Sequence, residues 1–152
     1  MKFILFTFLI FNLAFAQDNK CGTSCTYTLE NNVLTISGTG EMKDFSESGE
    51  DTPWYKSRET ITKVTIGDKI ESIGKSAFYS FSAMTTVTIP GTVTSIGENA
   101  FIGCEKLATV TLPEALTTIG KYAFNGCKAL KSITIPAKVK IIHVKNDEKM
   151  KT

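Results

Sequence analysis

The stretch from Ser95 to Cys104 reads Ser-Ile-Gly-Glu-Asn-Ala-Phe-Ile-Gly-Cys, and the stretch from Thr118 to Cys127 repeats it as Thr-Ile-Gly-Lys-Tyr-Ala-Phe-Asn-Gly-Cys. The two stretches are offset by 23 residues, and the same period recurs elsewhere in the chain. One period earlier, Ile73 to Phe81 keeps the Ile-Gly and Ala-Phe pairs and has Ser-Phe in place of Gly-Cys. This regularity predicts a chain built from copies of one structural unit.

A short triplet with β-strand character recurs at the same period. Its alternation of apolar, polar and apolar residues is typical of a strand with one buried face. Proline follows three of the triplets, at positions 90, 113 and 136, and is expected to end the strand because it lacks an N–H group. The triplets are Val64-Thr65-Ile66, Val87-Thr88-Ile89, Val110-Thr111-Leu112 and Ile133-Thr134-Ile135.

A second turn and a return segment complete each unit. Gly74, Gly97 and Gly120 follow an isoleucine and predict the turn, while the Ala-Phe pair predicts a short helical or irregular return. Ordering a single unit costs more conformational entropy than burial of its apolar side chains recovers, so a lone unit should not fold. The sequence therefore predicts a repeat solenoid, in which stacked coils share one core.

The N-terminal segment predicts export from the cell. Met1-Lys2, the apolar run from Phe3 to Phe15 and the small-residue pattern ending at Ala16 have the three parts of a secretory signal peptide. The apolar run is shorter than the roughly 20 residues that a membrane-spanning helix needs. We therefore expect cleavage after Ala16 and a mature protein without a membrane span, secreted or held at the extracellular surface.

The two ends of the chain depart from the repeat. Leu34-Thr35-Ile36 has the strand signature but lies 30 residues before Val64, and Asn31-Asn32 predicts the turn of a β-hairpin in front of it. In the last coil, His143 stands in the place of glycine and Asp147 in the place of phenylalanine. We divide the chain into a signal peptide at 1–16, an N-terminal cap with a degenerate first coil at 17–60, 23-residue repeats at 61–142 and a polar C-terminal tail at 143–152.

The whole pattern resembles the BspA-like leucine-rich-repeat family from about Cys21 to Ile142. This resemblance implies a leucine-rich-repeat right-handed coil stack with one parallel β-sheet face, short helical or irregular returns and an N-terminal β-hairpin cap. It also implies a secreted or surface protein that binds host or matrix proteins and other cells. The residues that carry it are Leu34 to Met42, Pro53-Trp54, Ser95 to Cys104 and Thr118 to Cys127.

Two columns of outward-facing residues on the predicted strands form the candidate binding face. We hypothesise that this face binds a protein or a glycan at a cell or matrix surface, because partners of solenoids usually dock on the exposed sheet. Threonine is also a good strand residue, so a solvated sheet face without a partner is the alternative. The columns are Lys63, Thr86, Thr109 and Ser132, and Thr65, Thr88, Thr111 and Thr134.

The charge distribution suggests a second hypothesis. Lys and Arg (17) nearly balance Asp and Glu (15), which argues against a nucleic-acid partner. Residues 17–59 carry four basic and eight acidic side chains, whereas residues 121–152 carry eight lysines against two acidic residues. One interpretation is that these charges only keep two exposed ends of the protein soluble. The other is that the opposite charges, together with an uncapped C-terminal end, allow end-to-end self-association. A shortened, non-binding relic of a longer repeat protein is a further alternative.

The four cysteines fall into two pairs. Cys21 and Cys25 lie close together in an exported, adaptable segment and are predicted to form a disulfide. Cys104 and Cys127 occupy equivalent places in adjacent coils, where parallel side chains are poorly placed to bridge, so we expect free buried thiols.

No pattern in the sequence indicates catalysis. The single histidine, His143, lies beyond the regular repeats, and there is no glycine-rich phosphate loop or metal-spaced His or Cys cluster. The acidic run from Glu41 to Asp51 lacks the spacing of a calcium loop and is interpreted as a solvated loop. We therefore expect no enzyme activity, no cofactor and no metal site.

Overall fold

The protein is a stack of coils, and the computed structural model describes residues 19–142 and 150–151. Apart from strands, these residues contain turns, bends and one short 3-10 helix at Tyr55–Ser57. The strands are β1 Cys25–Glu30, β2 Val33–Gly38, β3 Gly40–Glu41, β4 Lys63–Ile66, β5 Ile70–Ile73, β6 Thr86–Thr88, β7 Ser95–Ile96, β8 Thr118–Ile119, β9 Ile133–Thr134, β10 Ile141–Ile142 and β11 Met150–Lys151.

The first sheet has the order β1-β2-β4-β6 and contains the strands predicted at Leu34, Val64 and Val87. The predicted strand at Val110-Thr111-Leu112 does not form, and Ile133-Thr134 is β9, outside this sheet. The hairpin β1–β2 is antiparallel, and its turn residues Asn31 and Asn32 have φ of 49° and 63°, values that asparagine tolerates well. From β2 onward the pairing is parallel, with Leu34, Val64 and Val87 in register. The predicted triplets are thus neighbouring rungs of one sheet in the first three coils.

A second parallel sheet runs along the coils, in the order β3-β5-β7-β8-β10. It places Ser72, Ser95 and Thr118 in one register and Ile73, Ile96 and Ile119 in the next. From the sequence we predicted one sheet face and interpreted this segment as a turn. Most of these strands are two residues long, which is too short for an alternating pattern to be recognised in a sequence.

The core contains a column of aromatic rings on the return side of the coils. Phe78, Phe101 and Phe124 stack with ring centroids 5.2 and 5.3 Å apart. Trp54 continues the stack, 5.9 Å from Phe78, and its Nε1 donates a 2.8 Å hydrogen bond to the carbonyl of Ala77. Trp54 therefore takes the aromatic place in the degenerate first coil and joins that coil to the repeats.

The returns are also joined by backbone hydrogen bonds. The N–H of Phe78 donates to the carbonyl of Ala100 at 2.9 Å, and the N–H of Phe101 donates to that of Ala123 at 2.8 Å. Just beyond, Gly103 has a φ of +72°, a left-handed conformation that favours glycine. The returns are irregular in conformation, but their backbone groups pair from coil to coil.

The glycine after each second-sheet strand is required by close packing of neighbouring coils. A Cβ atom added at Gly97 would lie 2.5 Å from the nitrogen of Lys75. One added at Gly120 would lie 2.4 Å from the nitrogen of Glu98. Any side chain at these positions would push the coils apart, so the repeated Ile-Gly pair sets the distance between backbones as well as the turn.

Several sequence-based predictions lie outside the described residues. These are the signal peptide at 1–16, the C-terminal tail apart from its strand at 150–151, and the substitutions at His143 and Asp147. Among the described residues, no helix is long and apolar enough to cross a membrane.

Candidate binding face and the second-sheet groove

The candidate binding face is the outer side of the first sheet. The side chains of Leu34, Val64 and Val87 point into the core and are almost completely buried, so the alternate residues of the same strands face outward. Thr65 is half-buried, and the remaining seven positions are exposed. These seven are Lys63, Thr86, Thr88, Thr109, Thr111, Ser132 and Thr134.

The sheet register brings five of the eight candidate residues together. Lys63 pairs with Thr86, and Thr86 continues through a parallel bridge to Thr109. Thr65 pairs with Thr88 in the neighbouring column. Adjacent members of a column are therefore about 4.8 Å apart, the distance between paired strands.

The other three candidate residues lie outside this ladder. Thr111 belongs to a coil whose strand position is reduced to the bridge at Thr109. Thr134 lies in β9, which pairs with β11 rather than with a strand of the first sheet, and Ser132 immediately precedes β9. The candidate binding face is thus regular over the first three coils and less regular beyond them.

The hydroxyl groups of the candidate binding face are available to a partner. Within residues 19–142, no side-chain hydrogen bond involves Thr86, Thr88, Thr109 or Thr111. Other threonines do hold neighbouring coils together: Thr117 Oγ1 donates to the carbonyl of Thr94 at 3.0 Å. The outward threonines of the first sheet therefore have no such structural role.

A groove of about 470 Å³ follows the outer side of the second sheet. Sequence reasoning missed it, although its signal is visible as the Ser or Thr that precedes each Ile-Gly pair. We call it the second-sheet groove. Its lining residues are Glu41, Met42, Lys43, Asp44, Ser72, Ile73, Gly74, Ser95, Ile96, Gly97, Glu98, Thr118 and Gly120.

Cys21 and Cys25 are joined by a disulfide in the structure, and Cys104 and Cys127 are free and buried. The sulfur of Cys104 donates to the carbonyl of Phe78 at 3.3 Å, and that of Cys127 donates to the carbonyl of Phe101 at 3.3 Å. Burial, followed by the neighbouring Cys127 thiol, raises the pKa of Cys104 well above its usual value. A thiol in this setting is a packing group rather than a nucleophile.

In the part of the chain that the structure describes, no three His, Cys, Asp or Glu residues are grouped closely enough to hold an ion.

The stacked 23-residue coils and parallel sheets define this protein as a leucine-rich-repeat solenoid. The BspA-type leucine-rich-repeat model matches residues 52–146 with six copies of the repeat. The chain therefore belongs to the BspA-type leucine-rich-repeat family. No protein of curated function matches it.

Three crystal structures of bacterial proteins have the same fold. A leucine-rich-repeat protein of Eubacterium ventriosum is 34% identical with a TM-score of 0.64, and the match covers 79% of this chain and 38% of that one. One from Bacteroides ovatus is 26% identical with a TM-score of 0.57, over 82% of this chain and 37% of that one.

The third is a leucine-rich-repeat protein of T. pallidum, 19% identical with a TM-score of 0.58, over 80% of this chain and 63% of that one. At this identity the likeness concerns the fold alone. In all three comparisons, the matched part is less than two thirds of the other protein's length.

Proposed function

We propose that this chain is a secreted or cell-surface binding module that docks a protein partner on its candidate binding face. The observation that carries the proposal is the pair of outward columns, in which exposed threonine hydroxyls repeat at the rung spacing without internal partners. Leucine-rich-repeat proteins are typically non-enzymatic modules that mediate protein interactions. We propose the same role here.

The geometry of the candidate binding face favours a protein surface as the ligand. Extended sheet faces of repeat proteins offer a broad area that a folded partner can cover. Hydroxyl groups on short side chains form adaptable hydrogen bonds at little entropic cost. Lys63 lies beside Thr86 at one edge of this area and can pair with an acidic residue of the partner.

Location outside the cell fits this role. Members of the BspA-type family are typically cell-surface bacterial proteins, and the sequence at 1–16 predicts export. A binding module at a cell or matrix surface agrees with both the predicted export and the repeat scaffold.

Charge substitutions on the candidate binding face test the proposal. The variant Thr88→Lys/Thr111→Lys should lose capture of a panel of immobilised extracellular-matrix proteins by at least tenfold, because two new ammonium groups must be desolvated in the contact. Thr23→Lys/Thr39→Lys is a matched control, since both threonines are exposed and lie outside the two columns. Unchanged capture by the first variant, with an unaltered circular dichroism spectrum, would place the binding site elsewhere.

Self-association is a second candidate function, favoured by the strand β10. This strand ends the order of the second sheet in the part of the chain that the structure describes. Strand edges can recruit another chain, and the acidic 17–59 and lysine-rich 121–152 segments provide attraction between ends. Light scattering over a series of protein and salt concentrations should show larger species at low salt, and a monomer at every condition would refute this candidate.

A further inference from the structure

We propose that the second-sheet groove is a separate binding site for a neutral, hydroxyl-rich polysaccharide. The sugar chain would lie along the stack and cross the rungs at Ser72, Ser95 and Thr118. This site is on a different sheet from the candidate binding face and does not depend on its function. Its volume of about 470 Å³ is within the range of small-ligand sites, so a few sugar rings can lie in this open groove.

The first argument is the column of hydroxyl groups. Ser72, Ser95 and Thr118 are in register, half-buried, and line the groove. Paired strands place them about 4.8 Å apart, a distance similar to the length of one pyranose ring. Successive sugars of an extended chain can therefore meet equivalent hydroxyls on successive coils.

The second argument is a pair of unused backbone donors beside the glycine turns. The N–H of Lys75 donates a 2.7 Å hydrogen bond to the Asp44 carboxylate. The corresponding N–H groups of Glu98 and Lys121, one and two coils further, have no acceptor among residues 19–142. Asp44 thus shows how an oxygen atom is held at this turn, and sugar hydroxyl oxygens can act as acceptors at the next two.

The third argument comes from the charged side chains around the groove. Lys43 lies 4.9 Å from the ring of Phe45, Lys121 lies 4.7 Å from the ring of Tyr122, and Lys75 pairs with Glu47 at 3.6 Å. Lys43 lines the groove, and Lys75 and Lys121 directly follow the lining glycines Gly74 and Gly120. Positive charge at and next to the groove therefore disfavours a cationic peptide.

The carboxylates of Glu41 and Glu98, which line the groove, would repel an anionic polysaccharide. Neither carboxylate has an ion-pair partner in the described part of the chain. Both are free to accept hydrogen bonds from sugar hydroxyls, which are strengthened by the charge. A neutral ligand with both donors and acceptors fits this mixture of groups best.

Isothermal titration calorimetry with the purified chain tests the proposal. The ligands are three neutral hexasaccharides: cellohexaose, maltohexaose and hexa-N-acetylchitohexaose. We expect at least one of them to bind with a Kd below about 1 mM. Oligolysine and polygalacturonate serve as the cationic and anionic comparisons. Absence of binding by all three neutral sugars, or stronger binding of either charged polymer, would overturn the proposal.

Matched substitutions locate the site. Thr118→Tyr should fill the groove and weaken sugar binding by at least tenfold, whereas Thr88→Tyr, on the candidate binding face, should leave it unchanged. Glu98→Gln keeps the shape of the groove and should weaken binding by about tenfold, because a charged acceptor becomes neutral. Equal effects of Thr118→Tyr and Thr88→Tyr, or full binding by folded Glu98→Gln, would contradict this location.

Discussion

The two sheets of the coil stack share the 23-residue period but differ in how far their strands pair from coil to coil. On the first sheet, strand pairing is complete from β1 to β6 and is then reduced to one bridge at Thr109. On the second sheet, pairing continues from β3 to β10, and the nearby returns add backbone hydrogen bonds and the aromatic column. The comparison indicates that the second sheet and the returns provide most of the pairing between the later coils.

Loss of an aromatic ring should have the largest effect on stability. Phe101 is completely buried and stacks on Phe78 and Phe124. Phe101→Ala should lower the free energy of unfolding by about 3–5 kcal/mol, measured by urea denaturation. Phe101→Leu, which fills much of the space, should cost clearly less. A loss under about 1 kcal/mol for Phe101→Ala would show that the aromatic column is not a main source of stability.

A methyl group at the glycine turn should have the next largest effect. Gly97→Ala would place a Cβ 2.5 Å from the nitrogen of Lys75 and should lower the free energy of unfolding by about 1–3 kcal/mol. Gly91→Ala is the matched control, because no atom lies within 4 Å of its added Cβ. Equal thermal melting temperatures of the two variants would mean that the coils can separate at little cost.

The thiol of Cys104 should react slowly in the folded protein. Because burial raises its pKa, less thiolate is present at pH 8 than in the unfolded chain, and each unit of increase lowers the thiolate fraction about tenfold. In a Cys127→Ser background, labelling by Ellman's reagent should be at least tenfold slower in buffer than in guanidinium chloride. Similar rates in the two solutions would mean that the return side opens readily.

Removal of a hydroxyl from the candidate binding face should have the smallest effect on stability. Thr88→Val should change the free energy of unfolding by no more than about 0.5 kcal/mol. Thr117→Val, which removes the bond from Thr117 Oγ1 to the carbonyl of Thr94, should cost up to about 1 kcal/mol. If urea denaturation showed a larger loss of unfolding free energy for Thr88→Val than for Thr117→Val, the hydroxyl on the candidate binding face would be the one that stabilises the stack, contrary to the comparison above.

The sequence was most informative where one residue type returns at a fixed interval. The period predicted the Val-Thr-Ile strands, and the sheet register confirms them in the first three coils. The family resemblance supplied the type of coil, which the family match and the related structures confirm. The aromatic role of Trp54 could not be predicted, because the first coil is longer and Trp54 does not align with Phe78 by counting.

The second-sheet groove illustrates what a sequence leaves out. Gly97 and Gly120 were interpreted as turn residues, which explains a single coil. Their close approach to Lys75 and Glu98 is a relation between coils, and it becomes visible only when the coils are stacked. The eight residues of the candidate binding face were placed by strand alternation, and their role in binding stays a prediction.

One series of backbone hydrogen bonds between coils joins residues at a constant separation along the chain. The N–H of Thr94 donates to the carbonyl of Glu71, that of Thr117 to Thr94, and that of Lys140 to Thr117, each 23 residues apart. A tandem duplication or loss of one 23-residue segment would therefore recreate the same bonds at the new junction. Genes for such proteins can lengthen or shorten in whole coils during evolution, and the reach of the molecule can change without the invention of a new interface.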